Sequence, residues 1–291
     1  MKNVLFFGGS SLLATMWTNH WKGKFSIFMT QHQQQIEADK SKIIEIKEIS
    51  PTEIKKILST YKIDILINCV GLTSVELCEL EPQKAKYLNS DIPSILANVC
   101  FNEKISFVHI STDHLFDGIN GLRTESDRPS PLNQYGLTKI EGDQRVVKNN
   151  PNSLIIRSNF FGRGPKYKPS FSDIIIKALL NKKKIDLFED VFFTPIYIRE
   201  LANVVNQLLN KKKKGIYNVV SNERISKYKF GQLIAEQMGF SKDLITKGLL
   251  SNRKDLVIRP KDMSLSNEKV RSIKGIEIKS LKNQIKDLIQ N

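Results

Sequence analysis

Residues 4–14 read VLFFGGSSLLA. An apolar run ends in a pair of glycines and two serines, and an apolar helical pattern continues from there to Trp21. Four consecutive apolar residues have the composition of a strand covered on both faces. A strand that turns through Gly8-Gly9 straight into a helix brings backbone N–H groups and a helix N-terminus to bear on a phosphate. With Lys2 ahead of it, the same stretch superficially resembles a secretory signal. No A-x-A-like site closes the run before WTNHWKGK (17–24), so strand, turn and helix is the preferred reading.

Working outward, the pattern repeats. Apolar runs at 25–29, 42–46, 64–70, 104–110 and 153–157 alternate with helical patterns at 51–61, 82–101 and 135–148. Pro51 and Pro82 stand at helix starts, where a missing N–H costs nothing. Strands alternating with helices predict an α/β chain with a doubly wound parallel sheet. After GRGPKYKP (162–169) the expected elements are helices at 171–180, 198–210, 227–238 and 280–290 and strands at 184–188 and 215–220. QHQQQ (31–35) and the lysine runs at 182–184 and 211–214 read as solvated loops or helix ends.

With 291 residues, 40% hydrophobic and 26% charged, the chain is an ordinary globular one, which excludes a disordered, collagenous or many-span membrane protein. The net charge of +15 admits anionic small substrates. The basic residues are scattered and form no arginine-rich reading face, so no nucleic-acid partner is expected. No run of about 20 apolar residues occurs, so no membrane insertion is expected. Cys69, Cys78 and Cys100 are odd in number and lack metal-ligand spacing. Neither a disulfide framework nor a metal is expected, and a cytoplasmic location fits.

Asn68-Cys69-Val70-Gly71 follows the fourth strand, Ser111-Thr112-Asp113 the fifth, and Tyr135-Gly136-Leu137-Thr138-Lys139 opens a helix. In open α/β sheets ligands collect at the carboxyl ends of strands. Tyr135 and Lys139, four apart, share a helix face. An ammonium there stabilises phenolate, bringing the phenol down from ~10 toward proton transfer at neutral pH. The Thr112 hydroxyl would hydrogen-bond the same reacting oxygen. In this order the motifs suit hydride transfer between a nicotinamide and a carbonyl. The second strand ends Met29-Thr30-Gln31-His32, without the carboxylate that holds the ribose of NAD. NADP is therefore favoured slightly over NAD, and His32 reads as a loop residue.

These segments resemble the extended short-chain dehydrogenase/reductases, and more narrowly the dTDP-4-dehydrorhamnose reductase family. The resemblance runs through INCVGLTSVELCELEP (67–82), HISTDHLFDG (109–118), PLNQYGLTKIEGD (131–143), RSNFFG (157–162), TPIYIRELA (194–202), GIYNVVSNERISKYKFGQLIAEQMGF (215–240) and RPKDMSLSNEKV (259–270). It implies a Rossmann-type sheet with a smaller, discontinuous C-terminal α/β substrate lobe. The dinucleotide-binding domain would take 1–160 with about 195–222, and the lobe 161–194 with 223–291. It implies NAD(P)H-dependent reduction of the 4-keto group of a nucleoside-diphospho-6-deoxy sugar, in surface-polysaccharide precursor synthesis, and it leaves room for a homodimer.

Thr112, Tyr135 and Lys139 would then be catalytic, with Tyr135 as proton donor. The cofactor would meet Gly8, Ser10, Ser11 and Leu12, then Cys69, Val70 and Gly71, then Ser111, Tyr135 and Lys139. The sugar nucleotide would meet Thr73, Asp113, Phe160 and Arg259, with Glu76, Asp117 and Arg157 as further loop or diphosphate candidates. Ser11 and Ala14 stand where relatives carry glycines, which puts cofactor affinity in question. Two alternatives stay open: an epimerase or dehydratase on the same scaffold, and a dinucleotide-binding regulatory subunit without catalysis.

Overall fold

The computed structural model describes residues 1–32, 34–36 and 42–290. In chain order it runs β1 (Asn3–Phe7), α1 (Leu12–Trp21), β2 (Ser26–Gln31), β3 (Ile43–Glu45), α2 (Pro51–Thr60), β4 (Ile65–Asn68), α3 (Val75–Leu80), α4 (Pro82–Lys86), α5 (Ile92–Asn102), β5 (Ser106–Ile110), α6 (Gln134–Asn149) and β6 (Leu154–Arg157). Then come β7 (Phe160–Phe161), α7 (Phe171–Leu180), β8 (Ile185–Phe188), β9 (Phe192–Phe193), β10 (Ile196–Tyr197), α8 (Ile198–Asn210), β11 (Gly215–Asn218), β12 (Ile225–Ser226), α9 (Lys227–Gln237), β13 (Ile245–Gly248), α10 (Glu268–Arg271) and α11 (Leu281–Gln290).

One seven-stranded sheet has the order β11-β6-β5-β4-β1-β2-β3. From β6 to β3 its neighbouring strands all pair in parallel. At the β11 edge, Gly215 N–H donates to Ser153 O and Val219 N–H to Arg157 O, so that strand runs parallel too. This is the doubly wound α/β architecture that the alternating pattern predicts. The order reverses between β1 and β4, where Phe7 pairs with Asn68. The turn at Gly8 and the loop at Cys69 therefore leave the sheet side by side, at the switch point where such folds bind ligands. Leu5 and Phe7 point to one face, into a core with Ile54, Leu66, Leu96 and Ile155. Phe6 points to the other, 6.3 Å from Trp17 and 5.9 Å from Trp21.

Two local departures from the expected elements have physical causes. The strand expected at 64–70 ends at Asn68, because the Asn68 Oδ1 accepts the Val70 N–H at 3.1 Å and turns the chain. The helix expected at 82–101 is interrupted by a π-helical turn, Tyr87–Asp91. Pro93 has no N–H for the carbonyl four residues back, that of Asn89, and the turn widens. In the polar run at 31–35, His32, Gln34 and Gln35 are exposed, and Gln33 lies outside the described residues. The lysine runs lie on the surface; Lys182 and Lys212 follow α7 and α8 in the left-handed region, at φ of +51° in both cases.

The chain divides into two compact units: 1–111, 134–156 and 212–216 form the first; 112–133, 157–211 and 217–291 form the second. The resemblance implies a dinucleotide-binding domain of 1–160 with about 195–222; within those bounds 112–133, 157–160, 195–211 and 217–222 cluster with the second unit. The loop 112–133 is bound there by the backbone: Arg123 N–H donates to Ser264 O and Ser266 N–H to Arg123 O. Gly118, at φ +75°, lies so close to Pro260 that a Cβ would sit 2.6 Å from the proline side chain. The second unit also holds the strand pairs β7–β10, β8–β13 and β9–β12 and a cluster of Phe161, Phe171, Phe193 and Phe230.

Candidate functional site

In the first unit the glycine turn is fixed from three sides. Gly8 has φ +91°, and a Cβ there would lie 2.9 Å from Val70 Cγ2 and 3.1 Å from the Cys69 carbonyl carbon. Only glycine fits this conformation at this distance. The Gly8 and Gly9 amides donate to Thr30 Oγ1 and Thr30 O at 2.8 and 3.0 Å. Ser11 is the N-cap of α1: its Oγ accepts the Ala14 N–H at 3.1 Å. The amides of Leu12 and Leu13 precede the first helical hydrogen bond, at the positive end of the helix dipole.

Beside the turn, Cys69 interacts with the Ser11 hydroxyl, and burial pushes its thiol up to about 12. It is not a thiolate at neutral pH. Val70 and Gly71 follow at intermediate exposure. Lys139, on α6, is buried and donates its Nζ to Ile110 O at 2.8 Å, at the carboxyl end of β5. Burial pulls its ammonium down to about 8, against the opposing pull of Asp143 and Cys69. Tyr135 is buried one turn earlier on the same helix. Ser111 directly follows Ile110. Its amide donates to Ile156 O at 2.7 Å, while its buried hydroxyl has no hydrogen-bond partner among the described residues. Gly8, Ser11, Cys69, Val70 and Lys139 are thus brought together, with Ser111 next to the carbonyl that holds Lys139.

A dinucleotide fits these residues. The left-handed Gly8 lets the turn pack against Val70 and Cys69, the first amides of α1 favour anionic phosphate, and the Ser111 hydroxyl is a buried donor in need of an acceptor. At the end of β2, Gln31 Oε1 accepts the Ile36 N–H, and His32 is exposed.

In the second unit, Thr112 is buried; its Oγ1 accepts the His114 N–H and donates to Asp113 Oδ1, both at 3.3 Å. Asn159 donates to Asp113 Oδ2 at 2.7 Å. Burial pushes the Asp113 carboxyl up to about 6, resisted by Asn159 and the Lys227 charge. The Lys227 Nζ lies 4.3 and 4.5 Å from the Phe193 and Phe171 ring centres, and burial lowers it to about 8. His114 is held neutral, down at about 3, by burial and by Lys227 and Arg259.

Among the other expected residues, Phe160 starts β7 half-buried and Arg259 donates Nε–H to Val257 O at 3.2 Å. Thr73 is exposed, and Glu76 lies in the first turn of α3. Asp117 is held by Arg123 at 3.2 Å, and Arg157 is buried at the end of β6. Among the described residues no group of three His, Cys, Asp or Glu side chains is placed to hold a metal, and no helix is long and apolar enough to cross a membrane.

Several polar residues at the site go unmarked in the sequence pattern. Asn89 is fully buried on the π-helical turn. It clamps Leu72, accepting its N–H at 2.8 Å and donating to its carbonyl at 3.0 Å, and donates to Thr138 on α6. The available signal was Pro93 four residues on. Asn159 and Lys227 gave none: the first sits in a loop and the second in an ordinary amphipathic pattern. His109 and Asp143 did leave one, as titratable residues inside an apolar strand and one turn beyond Lys139.

The family model described as RmlD substrate binding domain matches residues 1–291. A probable low-salt glycan biosynthesis reductase, Agl14, of Haloferax volcanii is 30% identical over 243 residues, covering 82% of this chain and 81% of its own. A dTDP-4-dehydrorhamnose reductase of Aggregatibacter actinomycetemcomitans is 26% identical over 245 residues, covering 80% and 82%. The fold superposes on a crystal structure of dTDP-4-dehydrorhamnose reductase from Bacillus anthracis in complex with NADP with a TM-score of 0.87, at 20% identity and covering 100% and 99% of the two chains.

Proposed function

Because the chain belongs to the RmlD substrate binding domain family, we propose that it reduces the 4-keto group of a nucleoside-diphospho-6-deoxy sugar with NAD(P)H, in the synthesis of surface-polysaccharide precursors. One observation carries this reading: Lys139, one turn beyond Tyr135, is anchored on Ile110 O beside the glycine turn and the unpartnered Ser111 hydroxyl. The similarity to a glycan biosynthesis reductase and to a dTDP-4-dehydrorhamnose reductase supports the substrate class.

Reduced nicotinamide, when bound, supplies the hydride to the carbonyl carbon. Tyr135 gives its phenolic proton to the carbonyl oxygen, and the Lys139 ammonium favours the phenolate left behind. Thr112, next in the chain to Ser111, donates a hydrogen bond to the same oxygen. The amides of Leu12 and Leu13 receive the diphosphate of the cofactor, and Ser111 and Lys139 donate to its ribose side. NADP is favoured because no carboxylate ends β2. Asp113 contacts the sugar, and Arg259 its diphosphate.

A dehydratase would draw on a second acid beside the Thr. Here the residue after Asp113 is His114, held neutral at about 3, which favours the reductase. The three free cysteines suit a reducing cytoplasm, and a homodimer is the assembly to test by light scattering.

The test is a panel of nucleoside-diphospho-4-keto-6-deoxy sugars with NADPH and, separately, NADH. Stoichiometric oxidation of the reduced cofactor is expected with at least one sugar. Sugar turnover without net oxidation would assign an epimerase or dehydratase, and cofactor binding without turnover a regulatory subunit; either sinks the proposal.

A further inference from the structure

Two fully buried titratable side chains of the first unit, His109 on β5 and Asp143 on α6, take no part in the reaction steps. Their geometry forms a directed chain. The Val70 N–H donates to Asn68 Oδ1 at 3.1 Å, which fixes the amide so that its Nδ2 faces His109. The Asn68 Nδ2 lies 3.1 Å from His109 Nδ1. Nδ1 is therefore the acceptor, and the neutral ring carries its hydrogen on Nε2. Nε2 faces Asp143 Oδ1 at 3.6 Å and has no hydrogen-bond partner within bonding distance among the described residues.

The contact is not a salt bridge. Burial and the Lys139 charge hold the imidazole pKa far down, so an N–H dipole meets an anion, at a separation longer than a normal hydrogen bond. Asp143 is four residues beyond Lys139, hence on the same face of α6, and its charge acts on the Lys139 ammonium. Val70, where the chain starts, is the residue against which Gly8 of the glycine turn is packed.

We propose that His109 and Asp143 are positioning residues, a buried relay that ties the Lys139 ammonium to the cofactor loop at 69–71. The proposal rests on the reductase reading for the part Lys139 plays, not for the relay itself. Asp143 supplies the counter-charge that keeps Lys139 an ammonium in a buried place. His109 orients that carboxylate, and Asn68 reports the position of Val70 to the imidazole. The other titratable groups that interact with Lys139 are Cys69 after β4 and Cys78 on α3, besides the neutral His109 on β5. Both thiols are pushed well above neutral pH, so neither supplies an anion at neutral pH. Asp143 is left as the source of negative charge that holds Lys139 protonated.

Two measurements test this. In the wild-type protein, ¹⁵N–¹³C correlation spectra of histidine should show His109 neutral with its hydrogen on Nε2 from pH 6 to 9. A protonated ring, or a hydrogen on Nδ1, overturns the relay whether or not any sugar is reduced. In steady-state kinetics, Asp143→Asn should move the alkaline limb of kcat down by about one pH unit, so that kcat falls about twofold at pH 7 and about tenfold at pH 9, with KM for the sugar nearly unchanged. His109→Gln, which keeps an acceptor and a donor, should hold the limb near its wild-type place, and His109→Phe should not. An unshifted limb in folded Asp143→Asn overturns the proposal. If that variant does not fold, the histidine tautomer and the two His109 variants decide.

Discussion

Asn159 donates its side-chain N–H to Asp113 Oδ2 at 2.7 Å, in a place where Asp113 is only 2% exposed. That hydrogen bond and the Lys227 charge favour the carboxylate, yet burial outweighs them and the group titrates at about 6. Its folded pKa thus lies above the unfolded one. Between about 4 and 6 the native state holds a proton that the unfolded chain has lost, so this group's contribution is complete below about 4 and is lost as pH rises through 6. Asp113→Asn removes the titration. The stability of the variant relative to wild type should improve from pH 4 to pH 7, by on the order of 2 kcal/mol, or several degrees in Tm. Thermal melts at the two pH values check it; a difference that does not change with pH contradicts the buried carboxylate.

Lys139 gives the opposite pairing of activity and stability. Its folded pKa, about 8, lies below the ordinary lysine value of 10.5. Between those values the native state binds fewer protons than the unfolded chain, so this group's contribution to stability grows as pH rises from 8. Activity should do the reverse, because the ammonium that supports the Tyr135 phenolate is lost in the same window. A kcat profile with an alkaline limb near pH 8 is expected. Lys139→Met should remove the limb and lower kcat by about 10² or more. A wild-type rate that stays flat to pH 10 would exclude Lys139 as the charged partner.

Most of the sheet was legible because its strands announce themselves: VLFF, DILINCV and SLIIR are apolar on both faces and bounded by turn signals. The catalytic candidates were legible because a glycine turn, Ser-Thr-Asp and Y-x-x-x-K each follow or open an element in a fixed order. The polar second layer was not. Asn68, His109 and Asp143 lie on three elements up to 75 positions apart, and only the strand pairing of Asn68 with His109 brings the first two together. Lys227 and Asn159 converge on Asp113 only after the loop 112–133 has been drawn into the second unit. No local period encodes that convergence. The short strands β7, β9, β10 and β12 have two residues each, too few for any alternation to be read.

The π-helical turn makes a strong packing prediction. A Cβ on Gly142 would sit 2.1 Å from the Asn89 carbonyl oxygen, a backbone atom that cannot rotate away. In an exposed helix Gly→Ala gains up to about 1 kcal/mol. Here the clash must push α6 off the turn that carries Asn89, and overpacking of this kind typically costs about 1–3 kcal/mol or more. Gly142→Ala should lower Tm by several degrees. It should also lower kcat, because Tyr135 and Lys139 ride on the displaced helix. Unchanged stability in a chemical denaturation curve would refute this close approach.

Ser11 separates two roles that one hydroxyl could hold. Its Cβ lies in the turn at the N-terminus of α1, where a cofactor diphosphate would approach. The hydroxyl already has a structural role, accepting the Ala14 N–H and facing Cys69. An N-cap serine replaced by alanine costs about 1 kcal/mol, and replaced by glycine only a few tenths. Melts should therefore rank wild type above Ser11→Gly above Ser11→Ala. Cofactor affinity should rank differently. Ser11→Gly clears the Cβ and leaves one more helix amide open to an anion, so its Kd for NADPH should equal or fall below the wild-type value, by up to about tenfold. Ser11→Ala keeps the Cβ and should gain less. Titration of NADPH fluorescence reads both. Should Ser11→Gly instead weaken NADPH about tenfold, the hydroxyl is a ligand of the diphosphate, and the serine is an adaptation of the turn rather than an obstruction in it.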